Sequence, residues 1–334
     1  MSLKHLLLIT LGGLFLNHAQ AAEPVTPIVI HFSHVVADDT PKGQGALLFK
    51  ELVEKRLNGL VKVEVHGHSS LYGDEQELQA LLDGKVQMLA PSLAKFDTYS
   101  QQLRIFDLPF LFDDLAAVDR FQKRAKGRQL LRSMEKHNIL GLAYWHNGMK
   151  QLSATRALTA PADAAGLSFR IQPSDVLKAQ FDQVGATTQK LPFSELYAAL
   201  KDGRVQGAEN TWSNIYSQNL YSVQPVITET HHGVLDYMLV TNPRFWFGLP
   251  HGVRTELEAI IDEVTFSVNH AAAARNAQDR KRVIDSGASQ VVALSAEQRR
   301  AWRDSMRPVW QQFEDSIGAE LLKAAETVNR KQQE

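Results

Sequence analysis

Apolar and polar positions change period several times along the chain, and each change marks a structural element. Ile28-Val29-Ile30-His31-Phe32 is a nearly continuous apolar run and predicts a strand. After Asp38-Asp39, Thr40 followed by Pro41 supplies a helix N-cap and a first-turn proline. Leu47, Leu48, Leu52, Val53 and Leu57 then recur at helical spacing. Val61-Lys62-Val63-Glu64-Val65 alternates with period two and predicts a second strand. A chain that begins strand, helix, strand favours an α/β class with parallel strands.

Two later stretches share one pattern. Leu81-Leu82-Asp83-Gly84-Lys85-Val86-Gln87 returns as Leu200-Lys201-Asp202-Gly203-Arg204-Val205-Gln206. In each, a helix ends at a glycine suited to the left-handed cap and a short strand comes next. The strand Leu167 to Ile171 and a helix from about Ser174 to Val184 precede the second copy. This spacing suits two α/β domains of related design. From Pro250 to about Ser286 only Gly252, in the first turn, interrupts a helical composition. One helix of that extent is about 55 Å long and can brace two domains. Ser295 with Gln298 forms a capping box for another helix, Pro308 punctuates the last helices, and Asn329 to Glu334 reads as a frayed tail.

The N-terminus sets the expected compartment. Lys4 and His5 precede an apolar run from Leu6 to Leu16, and Ala19-Gln20-Ala21 offers a small-x-small cleavage site. Residues 1–21 therefore read as a secretory signal peptide, too short to span a bilayer, and the mature chain is expected in the periplasm. The remaining chain is long enough for two domains. Cysteine is absent, which removes both thiolate chemistry and a lipid-bearing residue after the cleavage site. With a formal charge of -1 there is no basic excess for phosphates, so nucleic acid is not an expected partner.

Enzyme motifs of the H-E-x-x-H, G-x-S-x-G and phosphate-loop types are missing. Gly43-Gln44-Gly45 is a lone G-x-G at a helix start. His66 and His68 sit on one face of an extended segment, but no third ligand occurs at a diagnostic spacing, so they read as surface histidines. Basic and polar residues near strand ends carry more, because ligands of open α/β sheets bind outside the carboxyl ends of strands. Arg170 lies in a strand among Leu167, Phe169 and Ile171, where its guanidinium requires an anion: a ligand carboxylate or a structural Asp or Glu. Lys150, in an extended segment after Asn147-Gly148, can add a second positive charge or be simply solvated. Lys42 stands in a helix's first turn, where the dipole disfavours cations, which fits either a ligand role or plain exposure. Asn210 offers donor and acceptor at a strand end or serves a turn. Phe193 and Trp212 are core aromatics or pocket walls.

Five runs add a family resemblance: TPKGQGALLFKELVEKR from Thr40, SSLYGDEQELQALLDGKVQMLAPS from Ser69, DLPFLF from Asp107, FRIQPSDVLKAQF from Phe169 and GAENTWSNIYSQ from Gly207. Together they resemble the periplasmic solute-binding subunits of TRAP transporters, most closely the branch that binds C4-dicarboxylates. The resemblance implies a two-domain periplasmic binding protein with a hinge and a long domain-spanning helix. It divides the chain into domain I, 22–147 with 236–275, and domain II, 148–235 with 276–334, with the ligand cleft between them. It implies that Arg170 pairs with the ligand carboxylate, that Asn210 helps to hold it, and that Lys150 occupies the second basic position. An arginine stands there in sialic-acid binders, so lysine fits a smaller diacid. Phe193 matches a pocket wall, and Lys42, Ser92, Gln172, Trp212 and Tyr237 lie in segments that line the cleft. The expected partners are a small carboxylate and two integral membrane subunits; the protein is expected to act as a monomer without cofactor, metal or catalysis. Rival readings are another organic acid, a sensory subunit, and a metal-dependent periplasmic enzyme using His66 and His68.

Overall fold

The computed structural model describes residues 26–329; the expected signal peptide and nearly all of the C-terminal tail lie outside that range. The first part of the chain forms β1 (Ile28–Ser33), α1 (Pro41–Arg56), β2 (Val61–His66), α2 (Glu77–Leu82), β3 (Met88–Leu89), α3 (Leu115–Lys123) and α4 (Ala125–Leu130). A long strand, β4 (Leu140–Ala154), leads into β5 (Ser168–Ile171), α5 (Asp175–Asp182), β6 (Thr187–Lys190), α6 (Leu196–Lys201), β7 (Gly207–Asn210) and α7 (Trp212–Ser217). A second long strand, β8 (Val226–Thr241), returns to α8 (Pro243–Gly248). The chain ends with α9 (His251–Ser286), β9 (Gln290–Ala293), α10 (Ala296–Ile317) and α11 (Ala319–Glu326).

One mixed sheet runs through the molecule in the order β2-β1-β3-β8-β4-β7-β5-β6, with β9 beside β8. The halves are built alike. β1 pairs in parallel with β2 and β3, and β5 pairs in parallel with β6 and β7. The inner strand of each set then meets one of the two long strands in antiparallel fashion, β3 on β8 and β7 on β4. The sequence repeat is the local expression of this symmetry. Gln87 donates its backbone N–H to His31, and its side-chain oxygen accepts from the His31 N–H at 2.9 Å. Gln206 makes the same two bonds with Ser168, the second again at 2.9 Å. Gly84 and Gly203 both take positive φ after their helices, as the caps require.

β4 and β8 pass through both halves, and this antiparallel pair joins the two sub-sheets. Their ladder slips between His146 and Gly148 and again between Lys150 and Leu152, and His231 opposite takes φ +46°. Bulges bend strands and interrupt pairing, so the ladder is irregular where the two halves meet.

The long helix is present as α9, 36 residues from a Pro250 N-cap to a left-handed Gly287. At 1.5 Å per residue it extends for about 54 Å. Leu257, Ile260, Val264 and Val268 pack with β1, α1 and Trp145, while Val283 joins the cluster around β7 and α6. It therefore contacts both halves. Gly43 and Gly45 are packing residues: a Cβ on Gly43 would stand 2.4 Å from the Ala37 carbonyl, and one on Gly45 2.6 Å from Val268 of α9. The G-x-G thus lets α1 approach its neighbours.

Ser295 and Gln298 form the expected capping box, with bonds of 3.1 and 2.8 Å. Pro308, expected to punctuate the last helices, instead lies inside α10, and the break comes at Gly318. Burial of Trp302, Met306, Val309, Trp310 and Phe313 on both sides of Pro308 offsets the missing N–H. Trp302 and Met306 pack with β5 and α5, whereas Val309, Trp310, Phe313, Ile317 and the α11 leucines pack among first-half residues such as Phe106 and Phe121. α10 is thus a second element shared by both halves. No helix among the described residues is long and apolar enough to cross a membrane.

Candidate functional site

The ends of β3, β5 and β7 and the midpoint of the crossing strands converge on one cavity between the lobes. Its atom-free space is about 440 Å³, including its opening to solvent. Of the residues singled out in the sequence, Lys42, Ser92, Lys150, Arg170, Gln172, Phe193, Asn210 and Tyr237 line it. Trp212 does not. As the first residue of α7 it turns away from the cavity, and its indole lies 6.0 Å from the Arg280 guanidinium beside α9.

Arg170 is buried, on the third residue of β5. Its Nε donates to the Leu191 carbonyl at 2.8 Å, which fixes the plane of the guanidinium. Its two terminal nitrogens make no protein hydrogen bond among the described residues, and no carboxylate lies within ion-pair distance. The structural salt bridge considered from sequence is absent among the described residues. Asn210 ends β7, and its side-chain oxygen accepts from Asn214 Nδ2 at 2.9 Å and from the Thr211 N–H at 3.0 Å. This orients its own Nδ2 as a donor without an acceptor among the described residues. The Phe193 ring lies 5.9 Å from the Arg170 guanidinium.

Lys42 faces this group from the other lobe. Thr40 caps α1 by accepting from the Gly43 N–H at 3.2 Å, which places Lys42 on the inward side of the first turn. It is 1% exposed, so surface exposure does not explain a lysine there. Nζ donates to the Ala90 carbonyl at 2.9 Å and sits 3.8 Å from the centre of the Tyr237 ring, with no carboxylate of the described residues in ion-pair range. Burial, partly opposed by Glu77, brings the ammonium down to about 8. Tyr237 is held in turn by Asn147, whose Nδ2 donates to its hydroxyl at 2.7 Å.

Lys150 is differently placed. Its Nζ donates to Glu209 Oε1 at 2.6 Å, and both side chains are 3% exposed. The other carboxylate oxygen accepts from Gln180 at 2.7 Å and meets His232 Nε2 at 2.9 Å. Burial alone pushes the Glu209 carboxyl up, but Lys150 and His232 outweigh it and hold the group down at about 2. The charge that sequence offered to a ligand is already neutralised within the protein. Glu209 was missed because its partners come from β4, α5 and β8, and nothing in a single strand announces such pairing. The one available signal was an acidic residue immediately before Asn210.

A second missed cluster lines the first-lobe wall. Lys95 is bonded by Glu77 and, at 2.8 Å, by Asp74. Asp74 also accepts the Phe193 N–H across the cleft. Ser92 reaches Gln172 at 3.0 Å, and Asp97 accepts the Asp175 N–H at 3.3 Å, so the lobes are joined by several polar bonds. Lys95 and Lys150 each have a carboxylate partner; among the described residues Lys42 and Arg170 do not. The cavity therefore presents two buried cations, one from each lobe, with further donors beside them.

Comparison with known proteins identifies the family. The family model for bacterial extracellular solute-binding protein, family 7, matches residues 32–316. The C4-dicarboxylate-binding periplasmic protein DctP of Shewanella loihica is 53% identical over 91% of this chain and 90% of its own length. A TRAP periplasmic solute-binding protein from Shewanella oneidensis, solved with bound succinate, superposes with a TM-score of 0.90 at 51% identity, covering 91% of this chain and all of that one. A Pseudomonas aeruginosa counterpart solved with bound L-malate has a TM-score of 0.85 at 60% identity, covering 86% of this chain and all of that one. With a closed interlobe cavity, two crossing strands and a helix that touches both halves, this chain belongs to family 7 of the bacterial extracellular solute-binding proteins, the TRAP-type periplasmic receptors, a family of transport proteins rather than enzymes.

Proposed function

We propose that the protein captures a C4-dicarboxylate such as succinate, fumarate or malate in the periplasm and carries it, enclosed, to the two integral membrane subunits of a TRAP transporter. One observation carries this reading: Arg170 and Lys42 face the same small cavity from opposite lobes, and neither has a protein carboxylate among the described residues. Two unpaired buried cations are costly, and a short dianion relieves both at once. Arg170 takes one carboxylate through its terminal nitrogens with Asn210 beside it, and Lys42 takes the other. The ligands named for close relatives, succinate and L-malate, have this chemistry.

Capture is a shift between open and closed forms, since only the closed form brings Lys42 and Arg170 to one ligand. The bulged middles of β4 and β8 serve as the hinge, between one lobe built mainly on 22–147 with 236–275 and another on 148–235 with 276–334. The monomer is the binding unit, and the membrane subunits read its closed shape. A thermal-shift panel of organic acids, run on protein unfolded and refolded to remove carried-over ligand, tests the assignment. A C4-dicarboxylate at a hundredfold excess over its Kd stabilises the fold by about 2.7 kcal/mol. A panel in which only monocarboxylates or sugar acids produce the shift overturns it.

The Lys42 ammonium gives binding a pH dependence. In the closed cavity without ligand its value is about 8, and a bound carboxylate raises it, so closure on a ligand above that pH takes up a proton. Affinity is full below about 8 and falls as the pH rises through it, by roughly tenfold between pH 7 and pH 9. Calorimetry across that range should show the loss in the parent protein and a flat profile in Lys42→Met.

A further inference from the structure

Outside the ligand cavity, β1 and the edge strand β2 bring together three side chains that share metal-ligand chemistry. Their parallel register sets His31 opposite Glu64 and Ser33 opposite His66. Strand alternation then puts His31, Glu64 and His66 on one face, opposite to the core face of Ile30, Phe32 and Val63. His31 Nδ1 lies 3.2 Å from His66 Nε2 and 3.4 Å from Glu64 Oε2. One ligand atom from each of the three lies within 4.8 Å of the other two. Donors around a tetrahedral zinc ion with bonds of about 2.0–2.1 Å are separated by about 3.3–3.4 Å. Two of the three edges already have close to that length.

The other carboxylate oxygen of Glu64, Oε1, accepts from Lys62 Nζ at 2.6 Å. Lys62 therefore steadies the carboxylate while leaving Oε2 turned toward the histidines, as an outer-shell partner does. All three groups are partly exposed, so a cation can reach them from solvent. His68, the partner suggested by sequence, is not part of the group: β2 ends at His66 and His68 takes φ +56°. The missing ligands come from the neighbouring strand and from two residues earlier.

We propose that His31, Glu64 and His66 bind one divalent transition-metal cation of the zinc type. Two imidazoles and a carboxylate without thiolate match zinc, nickel or copper(II) rather than magnesium or calcium. A fourth position faces solvent. The bound ion clips the edge strand β2 to β1 in the lobe that carries Lys42, and it is separate from the dicarboxylate cavity, which none of the three residues lines.

The test is a Zn²⁺ titration by calorimetry of the tag-free, chelator-treated chain, with Co²⁺ absorption as a geometric readout. The chain has 12 histidines, so the difference between variants decides rather than the total uptake. The parent should show one saturable site that His31→Ala and His66→Ala each weaken by at least about 10–100-fold, the range known even for outer-shell ligands. Glu64→Gln, which keeps the shape and the neighbouring lysine, should weaken the same site. The tetrahedral Co²⁺ bands should vanish in these variants, while succinate affinity is unchanged. Identical Zn²⁺ titrations for the parent and a His31→Ala, His66→Ala double variant, or no saturable binding by the parent, would overturn the proposal.

Discussion

Replacing Arg170 by methionine is expected to weaken dicarboxylate binding by about 3–5 kcal/mol, roughly two to three and a half orders of magnitude in Kd. The size comes from the state left behind: a ligand carboxylate drawn into a buried cavity with no cation to meet it. Arg170→Lys retains the charge but loses the planar fork, so its expected cost is smaller, about 1.5–3 kcal/mol. The fold should survive both changes. Among the described residues the Arg170 side chain makes one hydrogen bond, to the Leu191 carbonyl, and no carboxylate depends on it. Calorimetry for affinity and thermal unfolding without ligand separate the two effects. Normal binding by Arg170→Met removes this residue from the site, and a collapse of the unliganded fold makes its role structural.

Lys150→Met should do the opposite. Its loss leaves Glu209 buried against Gln180 and His232 with no full positive charge opposite, and breaking such a pair costs about 3–5 kcal/mol of fold stability. The double variant Lys150→Met, Glu209→Gln removes both charges and should recover most of the loss. The pair also sets a direction in pH. The Glu209 carboxyl is held down at about 2, so its contribution is complete above the ordinary carboxylate range and disappears as the pH falls toward that value. Chemical denaturation of the parent, the single variant and the double variant provides the cycle. A Lys150→Met protein as stable as the parent, with diacid binding selectively lost, would make Lys150 the second ligand cation in place of Lys42.

The contrast between these two lysines shows what the sequence could disclose. Lys42 was visible because its position was anomalous: a cation inside a helix start defined by Thr40 and Pro41. Arg170 was visible for the same reason, as a charge among Leu167, Phe169 and Ile171. The repeat around Gly84 and Gly203 was legible because each copy is a local unit, closed by its own glycine and glutamine. Lys150 looked equally available, but its state depends on the pairing of β4 with β7, which sets Gln151 against Asn210 and so brings Lys150 to Glu209. Register between distant strands is a tertiary property, and no spacing rule within either strand reports it. Trp212 shows the same limit on a smaller scale. It adjoins the site residues in sequence, yet the turn into α7 points it toward α9. His66 was paired with the wrong neighbour because His31 lies a whole helix earlier in the chain.

Two opposed cations reading two carboxylates is the centre of this account, and one ligand pair tests it most directly. Succinate and its monoamide have nearly the same shape and differ by one negative charge. Calorimetry on refolded, ligand-free protein at one salt concentration should give a monoamide affinity lower by about 1.5–3 kcal/mol, the worth of a charge-assisted bond. That preference should shrink in Lys42→Met, where the second carboxylate no longer has its ammonium. Equal affinities for succinate and its monoamide in the parent protein would contradict the two-cation account.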